Sequence, residues 1–177
     1  MKKIVLITLA LLSIYSIYSK SNEEETVKIP DTAIRFRVLA NSNSPRDQKV
    51  KEDVRDKLQE ELYTLLNSTK TINEARILIN DKITYFEDIV ETKLKDEDYS
   101  YKIDYGMHEF PEKEYKGIIY EAGEYESLLV TLGEGKGDNW WCVLFPPLCL
   151  LEAEESVEND DVEYKSFIKE ILVKYFY

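Results

Sequence analysis

The sequence predicts an α+β fold: a mostly antiparallel sheet of about four strands, an αα-hairpin on one face and a C-terminal helix. Three observations carry that expectation. Segments of period-two alternation flank a long run of helical periodicity, which gives the order β-α-α-β-β-β. The later strand patterns follow one another through short turns, as antiparallel neighbours do. Tyrosine is abundant, at 13 residues against two methionines and one histidine, a composition that suits half-buried sheet.

The chain opens with Lys2 and Lys3, after which Ile4 to Ser19 carries no charge. A positive start followed by an apolar run reads as an export signal, and the lysines place the rest of the chain across the membrane. Cuts after Ser16 or Ser19 would leave Ile14 or Ile17 where a small residue belongs. Residues 1–20 are therefore expected to be a signal peptide or an N-terminal anchor, with membrane contact through this segment if it is retained. Residues 21–31 are a polar linker, 32–151 a single α+β domain, 152–160 an acidic linker and 161–177 a helix that docks on the domain or binds a partner.

Within the domain, Ile34, Phe36 and Val38 alternate with Arg35 and Arg37, which predicts a strand with one wet face. The two arginines read as a solvated face or as partners for carboxylates. Ser44-Pro45-Arg46-Asp47 is a helix start. Val50, Val54, Leu58, Leu62, Leu65 and Leu66 then hold one face, and Asn67-Ser68 ends it. Thr71 with Glu74 forms a capping box for a second helix with the stripe Ile72, Ala75, Ile79, Ile83, Phe86, Val90 and Leu94. Tyr99, Tyr101, Ile103 and Tyr105 alternate as a second strand. Gly117 to Tyr120 gives a third, Ala122-Gly123 a hairpin turn, and Tyr125 to Leu132 a fourth.

The fourth strand feeds Gly133 to Cys149, GEGKGDNWWCVLFPPLC. Gly133, Gly135 and Gly137 suit a tight loop needing positive φ at more than one position. The frame of a P-loop or a dinucleotide fingerprint is absent. Trp140 and Trp141 are adjacent, so an extended backbone sends them to opposite faces. Pro146 and Pro147 turn the chain between Cys142 and Cys149, and in an oxidising compartment these two cysteines are candidates for one bridge. From Trp140 to Leu151 no side chain is charged, in a chain one-third charged. Such a run is buried or offered to a partner.

The net charge of −12 disfavours nucleic acid and anionic surfaces as partners. Cys142 as a nucleophile has only His108 as a base, and the sequence marks no third group to orient it. Cys142, Cys149 and His108 make an incomplete zinc set. No spacing singles out a carboxylate pair for glycoside chemistry. The expectation is therefore no catalytic residue, no metal, no cofactor and no small-molecule substrate. The two tryptophans are core aromatics, partner anchors or, on a cell-wall-binding module, platforms for sugar rings.

GEGKGDNWWC with FPPLC, together with Ile34 to Ser42 (IRFRVLANS), Phe110-Pro111 and Ala122-Gly123-Glu124-Tyr125-Glu126, resembles the stage II sporulation protein R family of endospore-forming bacteria. Asp138 departs from the family pattern, where a more basic residue is expected. The resemblance implies a ligand, not a catalyst: a protein made in the forespore and exported to the space between two membranes. There it signals to a membrane-embedded aspartic protease, stage II sporulation protein GA, which processes the precursor of sigma factor E. Asn139, Trp140, Trp141, Phe145, Arg35 and Arg37 are the candidate contact residues.

Overall fold

A computed structural model describes residues 30, 32–115, 118–148, 170–171 and 173–175. The expected signal segment, nearly all of the first linker, the acidic linker and Cys149 lie outside the described residues. The chain runs β1 (Ile34–Leu39), α1 (Pro45–Leu66), α2 (Ile72–Asp81), α3 (Ile83–Leu94), β2 (Tyr101–Phe110), β3 (Lys113–Tyr115), β4 (Ile118–Tyr120), β5 (Gly123–Leu132) and β6 (Asn139–Phe145). This is the α+β architecture expected from the pattern. A four-stranded sheet in the order β2-β5-β1-β6 has two antiparallel pairs and one parallel pair, β1 with β5.

The helices start where their caps predict. Ser44 Oγ accepts from the Asp47 amide at 3.1 Å with Pro45 in the first turn, and Thr71 accepts from the Glu74 amide. The second helical stripe is, however, two helices. Lys82, at φ −107° and ψ 7°, ends α2 and begins α3. The stripe crosses the break because Ile79, Phe86 and Val90 still reach one core. Arg76 of α2 grips Glu126 of β5 through Nε at 2.9 Å and Nη2 at 2.7 Å, and Tyr105 of β2 donates to the same carboxylate at 2.7 Å. Burial raises the Glu126 pKa, but the Arg76 and Tyr105 hydrogen bonds outweigh it and hold the group below the ordinary glutamate range.

One strand expectation is corrected. Residues 118–120 pair with β3 and not with β5, so Ala122-Gly123 is no hairpin turn between sheet neighbours. The long β5 instead lies between β2 and β1, where its apolar residues can be covered. The NWWC run is itself a strand, β6, antiparallel to β1 and at one border of the sheet.

The sheet is covered on both sides. Ile34, Phe36, Val38, Leu128, Val130, Leu132 and Leu144 meet α1, α2 and α3 in the main core. The opposite face, expected to be wet, holds a second core of Ala33, Phe110, Tyr120, Tyr125, Trp141, Val143, Leu148 and Ile171. Of the tail helix, the described residues 170–171 and 173–175 are helical. Ile171 is buried there and the Tyr175 ring stands 5.3 Å from that of Phe145, so this segment docks on the domain.

Candidate functional site

Strand β6 divides the two cores, and its backbone decides where each tryptophan goes. Trp140 pairs with Val38 and Trp141 with Arg37, so the rings leave opposite faces of the sheet, as the extended reading requires. Trp140 is half-buried on the helix side, edge-on to Phe36 at 5.7 Å and 5.4 Å from the Arg55 guanidinium. Trp141 is 8% exposed. Its ring packs edge-on to Tyr120 at 5.0 Å and Phe110 at 5.6 Å, and Lys113 Nζ lies 5.7 Å from its centre. The buried Trp141 offers no open face for stacking a sugar, whereas Trp140 keeps partial exposure.

Arg35 explains why so many aromatics gather on the second face. Its guanidinium carbon lies 3.3 Å from the Tyr125 ring centre, 4.8 Å from Trp141 and 5.0 Å from Phe110. With the side chain 1% exposed, these ring faces replace much of the water a cation would otherwise hold. The expectation of a solvated Arg35 is thus overturned. The β3–β4 excursion and residues 148 and 171 close over the face that strand alternation alone leaves open. Arg37 is half-buried; its Nη1 donates to the Glu109 carbonyl at 3.0 Å, and burial lowers its pKa. The four separated stretches that carry the family resemblance each give this box one member: Arg35, Phe110, Tyr125 and Trp141.

The glycine loop is a second convergence. Gly133 and Gly135 take positive φ, +55° and +62°, and a Cβ on Gly137 would stand 2.3 Å from the Ser42 carbonyl oxygen. The loop needs that close approach because it lies against the turn that ends β1. Asn41 Oδ1 accepts from the Glu134 amide at 3.0 Å, and Asn43 Oδ1 from the Asp138 amide at 2.6 Å. The Lys136 and Gly137 amides donate to the Asn41 and Ala40 carbonyls. With its amides so used, the loop has no free cradle for a phosphate. Asp138 accepts from Asn43 Nδ2 at 3.3 Å, and its carbonyl from Lys51 Nζ at the same distance. Beneath the turn, Asp47 accepts from Ser42 Oγ and from Asn41 Nδ2. The Ser42 bond above all holds its carboxylate below the ordinary range, against burial, which pushes it up.

Two groups bear on catalysis. Cys142 pairs with Phe36 on the helix side, whereas His108 lies on the opposite face, so no cysteine–histidine pair forms. The orienting group that the sequence did not reveal is Asp104, on the same strand: His108 Nε2 stands 3.3 Å from Asp104 Oδ2, and Nδ1 stands 2.7 Å from Ser127 Oγ. Period-two spacing marks Asp104 and His108 as sharing a face, but only the pairing of β2 with β5 brings in Ser127. Ser127 is 0% exposed, which leaves a substrate no approach to its hydroxyl. Among the described residues no group of three or more metal-ligating side chains is found. No described cysteine is a free thiol, while Cys149, the expected partner of Cys142, lies outside the described residues.

Of the six candidate contact residues, Arg35, Trp141 and Phe145 are inside the protein, and Asn139, Trp140 and Arg37 keep partial exposure. Trp140 and Arg37 lie on opposite faces, so the six do not form one surface.

Comparison with known proteins agrees with the residues that converge here. The family model described as Stage II sporulation protein R (spore_II_R) matches residues 30–155. Stage II sporulation protein R of Bacillus subtilis (strain 168) is 42% identical over 150 residues, which cover 82% of this chain and 67% of that protein. No solved structure matches.

Proposed function

Because this chain belongs to the stage II sporulation protein R family, we propose that it is an exported, non-catalytic sporulation signal. It leaves the forespore, stands in the intermembrane space, and activates a membrane-embedded aspartic protease, stage II sporulation protein GA. The protease then processes the sigma factor E precursor. Activation by a ligand needs differential affinity: the domain binds the protease's active arrangement more tightly than its resting one.

The observation that supports this reading best is the convergence of all four family stretches on one folded frame. They fix Arg35 in its box and lock the glycine loop onto the turn after β1. The contact is expected at the start of β6, where Asn139 and Trp140 stay partly exposed beside the loop, rather than at the buried Trp141. Cys142 and Cys149 are proposed to form the bridge that clips the turn after β6.

Capture of the full chain on membrane extracts of sporulating cells tests the proposal. Recovery of the membrane protease, lost with Trp140→Ala, is the expected result. Retention by peptidoglycan alone would replace the signalling role with wall binding, and turnover of a peptide or glycan would replace it with an enzyme.

A further inference from the structure

Strand β2 is one of the two outermost strands of the sheet, at the border opposite β6. Its inner edge pairs with β5 along all ten residues, Tyr101 opposite Leu132 through Phe110 opposite Gly123. Among the described residues its outer edge makes no backbone hydrogen bond. A long unpaired edge is a template for another strand. Natural edges are blunted by proline, bulges, short length or charge; β2 has none of the first three, and its charges are Lys102, Asp104 and Glu109.

We infer that this edge pairs with β2 of a second copy, antiparallel and centred on Gly106. Three features of the strand choose that occupant and register. A two-fold axis through the sheet keeps each face on its own side, so directly opposite residues share a face. With Gly106 opposite Gly106, Asp104 of each copy stands opposite His108 of the other, and no acid faces an acid. Centring on Asp104 would set carboxylate against carboxylate, and centring on Tyr105 would set Lys102 against His108, losing both acid–imidazole pairs.

On the other face the same register places Met107 opposite Tyr105. Met107 is 58% exposed, one of few large apolar side chains left in water among the described residues. A thioether over a tyrosine ring is a favourable pair, and the two-fold makes it twice. At the centre, a Cβ on Gly106 would meet nothing within 4 Å, so the second face of the strand is open there. The result is an eight-stranded sheet whose two four-stranded halves are those described.

The same open space makes the test clean, because Gly106→Cys can be introduced without a clash. Opposite residues of an antiparallel pair lie about 4.5–5.5 Å apart at Cα, within disulfide range. The full chain carrying Gly106→Cys is expected to form a covalent dimer under oxidising conditions that reducing agent dissolves. Asp104→Cys, whose two copies would stand roughly 14 Å apart, is expected to form none. Sedimentation of the unsubstituted chain should show a concentration-dependent dimer, weakened roughly tenfold by Met107→Lys. A chain that stays monomeric at all concentrations with Gly106→Cys unlinked overturns the proposal. A dimer that Asp104→Cys links in place of Gly106→Cys overturns it too. So does a monomer whose β2 amides gain exchange protection only from another protein, which would give the edge to a foreign strand.

Discussion

Arg35 and Gly137 are small parts of the sequence with large structural demands. Arg35 carries a charge into a place with almost no water, and the rings of Tyr125, Trp141 and Phe110 make that tolerable. Removing Trp141 uncovers the cation and opens a cavity, so Trp141→Ala is expected to cost about 3–5 kcal/mol in denaturant unfolding. In cells the protein level and precursor processing should fall together. Trp140→Ala should cost less, because that ring is only partly buried, and should lower processing at a normal protein level. Equal loss of level for the two variants would remove Trp140 as a contact. The glycines separate in the same way. Gly137→Ala drives a methyl group into the Ser42 carbonyl and is expected to cost about 1–3 kcal/mol. Gly106→Ala, over open space, should stay within about 0.5 kcal/mol of the starting protein. Equal thermal midpoints for the two alanine variants would contradict the loop contact.

At the scale of elements, local rules were legible in the sequence and pairings were not. Both helix starts stand where Ser44 and Thr71 predict them, since a cap is a contact within four residues. The stripe through Ile79 and Ile83 hid the break at Lys82, because periodicity registers only the buried face and α2 and α3 share one. The hairpin expected at Ala122-Gly123 failed because a turn signal does not name the strand's partner: β5 passes over the adjacent β4 to pair with β2 and with the distant β1. The wet face expected for β1 failed for a similar reason, since its cover includes Phe110, Tyr120, Leu148 and Ile171, all far along the chain. The turn after β1 has its own pH signature. Asp47 has a pKa below its ordinary value of 3.8 when folded, so its hydrogen bonds contribute fully above that value. The contribution fades as pH falls through the lower, folded pKa. Asp47→Asn should therefore flatten the acid limb of the stability profile below about pH 4, and an unchanged limb would show that the carboxylate is not the anchor.

For the whole molecule, two cores share one sheet, and the turn after β6 lies where both meet the tail. A Cys142–Cys149 bridge closing that turn is expected to add roughly 2–3 kcal/mol in the chain-entropy model. Non-reducing peptide mapping of the exported protein checks it, and two free thiols would count against it. The order of strands has a further consequence. The first strand made, β1, lies inside the sheet, and both of its neighbours are among the last made. The turn after it waits for a loop 95 residues downstream. Any chain delivered N-terminus first, from a ribosome or through a membrane pore, therefore emerges in an order that forbids early closure. Three helices appear with their apolar stripes uncovered, and the loop-closing entropy falls due before the long-range pairings offset it. No stable half-domain is expected along the way. A chain ending at Leu132 should remain protease-sensitive, and the step to a resistant domain should come only once β6 has been released.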